Sequence, residues 1–296
     1  MATRINSPTF ERDKRIFPLQ GWLGVGLILV FWTLNWILSG PRTHWGFFPL
    51  WLGYSLAIDG LVFWRTGTSL LKRSVPRYFG LFLVSAPVWW IFELLNLRTQ
   101  NWTYPGAELF TPFEYFFWTT LSFTTVIPAV FGSAEFFASF DFVRRLKSGP
   151  KVGTDRRTTL SFFVTGWMML ALMLIWPRIF FPFIWFSLYF ILEPINVWMG
   201  NRSLAADATW RGDWRPVIAL WLGVLLTAFF WEMWNYYSYP KWIYHVPWGN
   251  WLHIFEMPAL GYGGYLPFAL ELHALYHWIC GVLGEKKTEY VKIDQG

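Results

Sequence analysis

Apolar runs about as long as a bilayer is thick follow one another along nearly the whole chain, and no other feature limits its folding so severely. A ~30 Å hydrocarbon core needs about 20 helical residues to cross. Eight stretches approach or exceed that length: 18–39, 45–64, 78–97, 112–132, 160–177, 179–198, 217–235 and 254–283. Backbone polar groups in lipid must be bonded within their own segment, so such runs predict helices. The expected fold class is all-α, a polytopic transmembrane helix bundle of about eight spans. Of the 296 residues, 55% are hydrophobic and 14% charged, so no soluble domain remains between the runs.

Lys and Arg collect in cytoplasmic loops, which tests the span count independently. With the N-terminus inside, eight crossings bring both termini to the cytoplasm together with 20 of the 24 basic residues, and leave only Arg42, Arg98, Arg178 and Lys241 outside. The formal charge of +6 then belongs to topology and to contact with anionic membrane lipids, not to nucleic acid. The head "TRINSPTFERDKR" carries mixed charge and no small-residue cleavage site follows it, so the first run reads as a retained span. The expected location is the cell inner membrane. The single cysteine, Cys280, allows no internal disulfide.

The two halves of the chain follow one plan. "FFPLWLGYSLAIDGLVFW" at 47–64 is answered by "FFPFIWFSLYFILEPINVW" at 180–198, with Asp59 and Glu193 each five residues before a tryptophan and ten before a serine. Glu93-x-x-Asn96 is answered by Glu232-x-x-Asn235, Trp102-x-Tyr104 by Trp242-x-Tyr244, and Phe113-Glu114 by Phe255-Glu256. Two tandem four-span repeats are expected, 1–149 and 150–296, joined in the basic loop "VRRLKSGPKVGTDRRTT". Four is even, so the halves enter the membrane in the same direction, about a pseudo-two-fold axis along the membrane normal.

Intramembrane acids cost free energy and mark function by default. Glu93 and Glu232 lie about a turn from the outer ends of their spans, where reaching the interface is the bland alternative. Asn96 and Asn235, three residues on, share the face of their glutamates and are expected either to hold the carboxyls or to act as helix-helix glue. "TPFE" makes Glu114 part of a capping box with Pro112 at the first helical position; Glu256 has no such explanation. Asp59 and Glu193 lie deeper toward the cytoplasmic side, with Pro194 opening the ladder beside the latter. The Gly- and Pro-rich start of the last run is expected to line a pocket, since irregular backbone survives at membrane depth only inside protein or along a wet cavity. His273 and His277 share a helix face and are weak metal candidates, with a hydrogen-bonded pair the plainer reading. The aromatic outer loops fit a polyene-binding wall or an interfacial belt.

At Phe92-Glu93, Trp231-Glu232, the two Trp-x-Tyr loops and Pro112-Phe113-Glu114, the chain resembles the membrane-type lycopene cyclases, enzymes of carotenoid biosynthesis, over about 45 residues in each half. It departs from them where Tyr115 and Met257 stand in place of a second glutamate, where Ile254 replaces a proline, and in having four spans per half. The resemblance implies chemistry without redox and without a cofactor: a terminal polyene double bond is protonated, the cation closes, and a proton is lost. Glu93, Glu232, Glu256 and Glu114 would supply acid and base. Asn96, Asn235, Trp102, Tyr104, Trp242, Tyr244, Asp59 and Glu193 would hold the substrate, an apolar isoprenoid or pigment. A carboxyl kept from water suits such an acid.

The other class is non-catalytic: a proton-coupled small-molecule carrier, or a lipid- or pigment-binding subunit of an oligomer or larger complex. No pore-filter sequence points to a channel, no lysine lies deep in a late span for a Schiff base, and no Gly-rich fingerprint points to a nucleotide.

Overall fold

The computed structural model describes residues 16–146 and 148–286. Arg4, Arg12, Lys14, Arg15, Lys147, Lys287 and Lys292, which carry part of the charge argument for cytoplasmic termini, lie outside them. The described chain is mostly helical, with almost no sheet: α1 Leu19–Ile37, α2 Thr43–Thr66, α3 Leu70–Arg73, α4 Val75–Thr99, α5 Pro112–Phe123, α6 Val126–Ala138, α7 Asp141–Arg144, α8 Arg156–Ile175, α9 Pro177–Phe180, α10 Ser187–Met199, α11 Leu204–Asp207, α12 Arg215–Tyr236 and α13 Tyr262–Val282. Strands are two residues long: β1 Trp102–Thr103, β2 Ile243–Tyr244, β3 His253–Ile254 and β4 Met257–Pro258.

Six of these segments are long and apolar enough to cross a membrane, with α5 and α6 counted as one, and seven if the pair Pro177–Trp185 and Ser187–Met199, bent by 41°, is a single span. Two of the eight expected runs, 179–198 and 254–283, are not single unbroken apolar helices. The run 179–198 breaks at Phe186, where Glu271 on α13 takes up the Leu188 amide at 3.0 Å, capping the start of α10 from a neighbouring helix. The run 254–283 is α-helical only from Tyr262, after the hairpin of β3 and β4 and a 3-10 turn at Ala259–Gly261. α13 is not among the six, and it carries Glu271, His273 and His277 along its length.

Close packing rests on glycine. Without a hydrophobic drive between helices in lipid, backbones must approach closely to gain dispersion contact. A Cβ at Gly24 of α1 would lie 2.4 Å from the Ala57 amide nitrogen of α2; at Gly166 of α8, 2.8 Å from that of Ile191 on α10; at Gly223 of α12, 2.5 Å from that of Ala134 on α6. The helix contacts recur in both halves. α1 packs on α2 and α8 on α10, α2 on α6 and α10 on α13, α4 on α6 and α12 on α13. Across the halves, α6 packs on α12 and α13 on α4. α1 and α8 are the least buried of the spans, the outermost position in each set.

The two deep carboxylates have matching local duties. Asp59 accepts from the Ser69 hydroxyl at 2.9 Å and the Leu71 amide at 3.0 Å; Glu193 accepts from the Ala205 amide at 2.6 Å. Ser69 and Ser203 are the N-caps of α3 and α11. Both acids therefore tie the loop after α2 or α10 back onto its helix by filling free amides of a short helix.

Candidate aromatic cavity at the end of the bundle

The loop after α4 and the loop after α12 meet as a two-stranded ribbon, β1 against β2, with Trp102 opposite Tyr244 and Thr103 opposite Ile243. Each strand is anchored by the asparagine of its own half. Asn96 donates to the Trp102 carbonyl at 2.8 Å and accepts from the Asn101 amide at 2.8 Å; Asn235 donates to the Trp242 carbonyl at 2.8 Å and accepts from the Trp242 amide at 2.9 Å. The expected Glu–Asn pairs are thus not what forms. A carboxamide has both a donor and an acceptor, which a returning loop backbone satisfies at once, and the asparagines position the ribbon instead of the carboxyls.

The ribbon delivers its aromatic side chains to the glutamates. Glu93 Oε1 accepts from Tyr104 Oη at 2.6 Å, Trp89 Nε1 at 2.9 Å and Trp102 Nε1 at 3.1 Å. Glu232 Oε1 accepts from Tyr265 Oη at 2.6 Å and Tyr244 Oη at 2.7 Å. Alanine, Ala228, stands in the second half where the first has Trp89, and Tyr265 from α13 supplies the missing donor. Glu232 is fully buried, and its Oε2 has no partner. Removal from water, with the adjoining carboxylate second, pushes the Tyr104 and Tyr244 hydroxyls well above the usual phenol range, so both keep their protons and donate.

These aromatics form the wall of one cavity of about 560 Å³, within the range of small-molecule sites. Trp102, Tyr104, Trp242, Tyr244 and Tyr265 line it, with Trp89 and Trp185 beside them. Trp185, at the break before α10, stacks on both Phe92 and Trp102 with 24° between ring planes. Residues of both halves therefore enclose the same space. Glu93 and Glu232 do not line it; they stand one layer behind, reached through the phenols that do.

No family model, no curated protein and no solved structure matches this chain.

The remaining expected acids lie elsewhere. Glu114 is exposed and closes the capping box with Thr111, accepting the Thr111 amide at 2.9 Å. Glu256 is ion-paired with Lys241, whose ammonium also donates to the Tyr236 carbonyl at 3.3 Å. Phe255 beside it has φ 59°, the left-handed turn of the β3–β4 hairpin. Its ring packs on Phe229 and Tyr236 of α12, which sets Glu256 toward Lys241. Asp59 and Glu193 do not reach the cavity. His273 and His277 are buried with ring centroids 4.1 Å apart, and His277 Nδ1 donates to the His273 carbonyl at 2.8 Å. No cluster of three or more metal-ligating side chains occurs among the described residues.

Trp89, Tyr265, Lys241 and Glu271 were not singled out in the sequence. Tyr265 carried a usable signal, as the only polar-tipped aromatic within "GGYLPF", a stretch expected to line a pocket, and Trp89 stands one helical turn before Glu93 on the same face; Lys241 and Glu271 became visible only through contacts distant in sequence.

Asn96→Ala and Asn235→Ala should each lower stability by about 1–3 kcal/mol, since each strands loop backbone groups. Because the two loops are paired strands, the double substitution should cost measurably less or more than the sum. Thermal unfolding of the four proteins in detergent measures the coupling, and strict additivity would show the ribbon to be passive.

Proposed function

We propose that this chain is a multi-pass integral membrane enzyme that acts on an apolar polyene or isoprenoid lipid by carboxylic-acid protonation without redox, as a carotenoid cyclase does. The observation that carries this reading is the pair Glu93 and Glu232, held behind the aromatic wall of one shared cavity and bonded to phenols that face it. Glu232 is fully buried, and its Oε1 is bonded to the two phenols, Tyr244 and Tyr265, that line the cavity. A phenol turns its own proton to the terminal double bond and is re-protonated by the glutamic acid behind it, the tertiary cation closes on the next double bond, and the same relay run backwards takes a proton from the neighbouring carbon. No electron leaves the substrate. The flanking indoles and phenyl rings lower the energy of the cation through their quadrupoles.

Two tandem four-span repeats, 1–149 and 150–296, with both termini cytoplasmic and the protein in the cell inner membrane, complete the reading. The matching helix contacts, the paired Asp59 and Glu193 caps and the ribbon register support it, since exchanging the halves exchanges Trp102 with Trp242 and Tyr104 with Tyr244.

One observation favours a second reading, a pigment-binding subunit or a carrier: neither carboxylate itself touches the cavity. Expression in lycopene-accumulating cells, with chromatography of the cell pigments and of the purified protein, separates the two. Cyclised pigment supports the enzyme. Unchanged lycopene bound to the protein supports the second reading, and lycopene neither changed nor bound removes both.

A further inference from the structure

The cavity has a way in, and its position says where the ligand comes from. Among the described residues that line it, only Trp248, Leu260 and Gly263 are exposed, and they lie together where the loop after β2 meets the start of α13. A Cβ placed at Gly263 would meet nothing within 4 Å, so the wall is open there. The neighbouring glycines are not open in this way: a Cβ at Gly264 would meet Trp185 at 3.2 Å, and one at Gly261 the Met257 sulfur at 2.3 Å.

The surroundings of this opening are mostly apolar, with His245, Asn250 and His253 the exposed polar side chains and Glu256 paired with Lys241. No Asp, Glu, Lys or Arg occurs at 242–255 or at 257–270. Trp251 is 62% exposed, Leu252 67%, Ile254 49% and Leu260 57%. An opening that served water-borne ligands would not be rimmed by unpartnered tryptophan, leucine and isoleucine, which are at home where headgroups meet acyl chains. The surface is continuous with α12 through Phe255, whose ring packs on Phe229 and Tyr236.

We infer that Gly263, Leu260 and Trp248 form a lateral portal through which the cavity is filled from the acyl chains of the membrane leaflet, with the 245–261 loop immersed in the interface. The inference deepens the proposed function and rests on it for the polyene, but the occupant of the portal itself is lipid. Glycine at 263 keeps the passage clear, and any large side chain there projects into it.

Two measurements test this. A nitroxide on Gly263→Cys in a Cys280→Ala background, in lipid vesicles, should collide more often with oxygen than with a water-soluble nickel chelate; the reverse order overturns the portal. Gly263→Trp should lose the lycopene that co-purifies with, or is converted by, the unaltered protein, whereas Gly80→Trp should keep it. Gly80 also has open space around it but lies on α4 away from the cavity. Lycopene handling by Gly263→Trp equal to that of the unaltered protein overturns the portal. If the unaltered protein handles no lycopene, the enzymatic reading fails while the nitroxide result still decides the portal.

Discussion

Glu232→Gln is expected to cut polyene conversion by about 10²–10⁴-fold, the usual contribution of a general acid, while the protein remains folded. The amide oxygen can still accept from Tyr244 and Tyr265, which bond the same Oε1 at 2.7 and 2.6 Å, but the amide has no acidic proton to give. Glu232→Ala makes the informative contrast. It leaves both phenols without an acceptor in a fully buried place, each at about 1–3 kcal/mol, so activity and thermal stability should fall together. Conversion rates in membranes and unfolding midpoints in detergent, measured on both variants, separate the chemical role from the structural one. A glutamine variant as active as the original would move the acid elsewhere, with Glu93 the next group to test.

The second large effect belongs to packing. Gly223→Leu should separate α12 from α6, because its Cβ would meet the Ala134 amide nitrogen at 2.5 Å and the Ala134 Cα at 2.7 Å. Backbone cannot rotate aside as a side chain can, so the cost should reach or exceed the upper end of the about 1–3 kcal/mol that overpacking carries. Since α6 and α12 come from different halves, the loss should also open the cavity between them. Gly26→Leu is the control, with no atom within 4 Å of its Cβ. The yield of monodisperse protein and its unfolding midpoint should drop for the first variant and hold for the second; equal values would mean that the crossing is not close.

Helices were legible because lipid allows few alternatives to them, and the Thr111–Pro112–Glu114 start of α5 because a capping box is a local pattern. Their ends were less so. Hydropathy joined 254–261 to α13, since Ile254, Phe255 and Leu260 are as apolar as a span, yet this stretch forms a hairpin and a lipid-facing rim. The break before α10 depends on Glu271, 83 residues from the Leu188 amide that it accepts, and no local pattern announces that. Helical spacing correctly put Glu93 and Asn96 on one face, but it could not say what the amide binds, because its partner is a loop that returns only after folding. For the same reason the sequence showed repeated acids without showing that aromatic hydroxyls stand between them and the cavity.

The most direct test of the acid–base account is the mass of the product formed in deuterium oxide. Reconstituted protein given lycopene should release cyclised pigment carrying one solvent deuterium for every ring closed, with Glu232→Gln releasing almost none. Cyclised pigment of unaltered mass, or with a changed hydrogen count that reports oxidation or reduction, would contradict protonation by the carboxyls behind the aromatic wall.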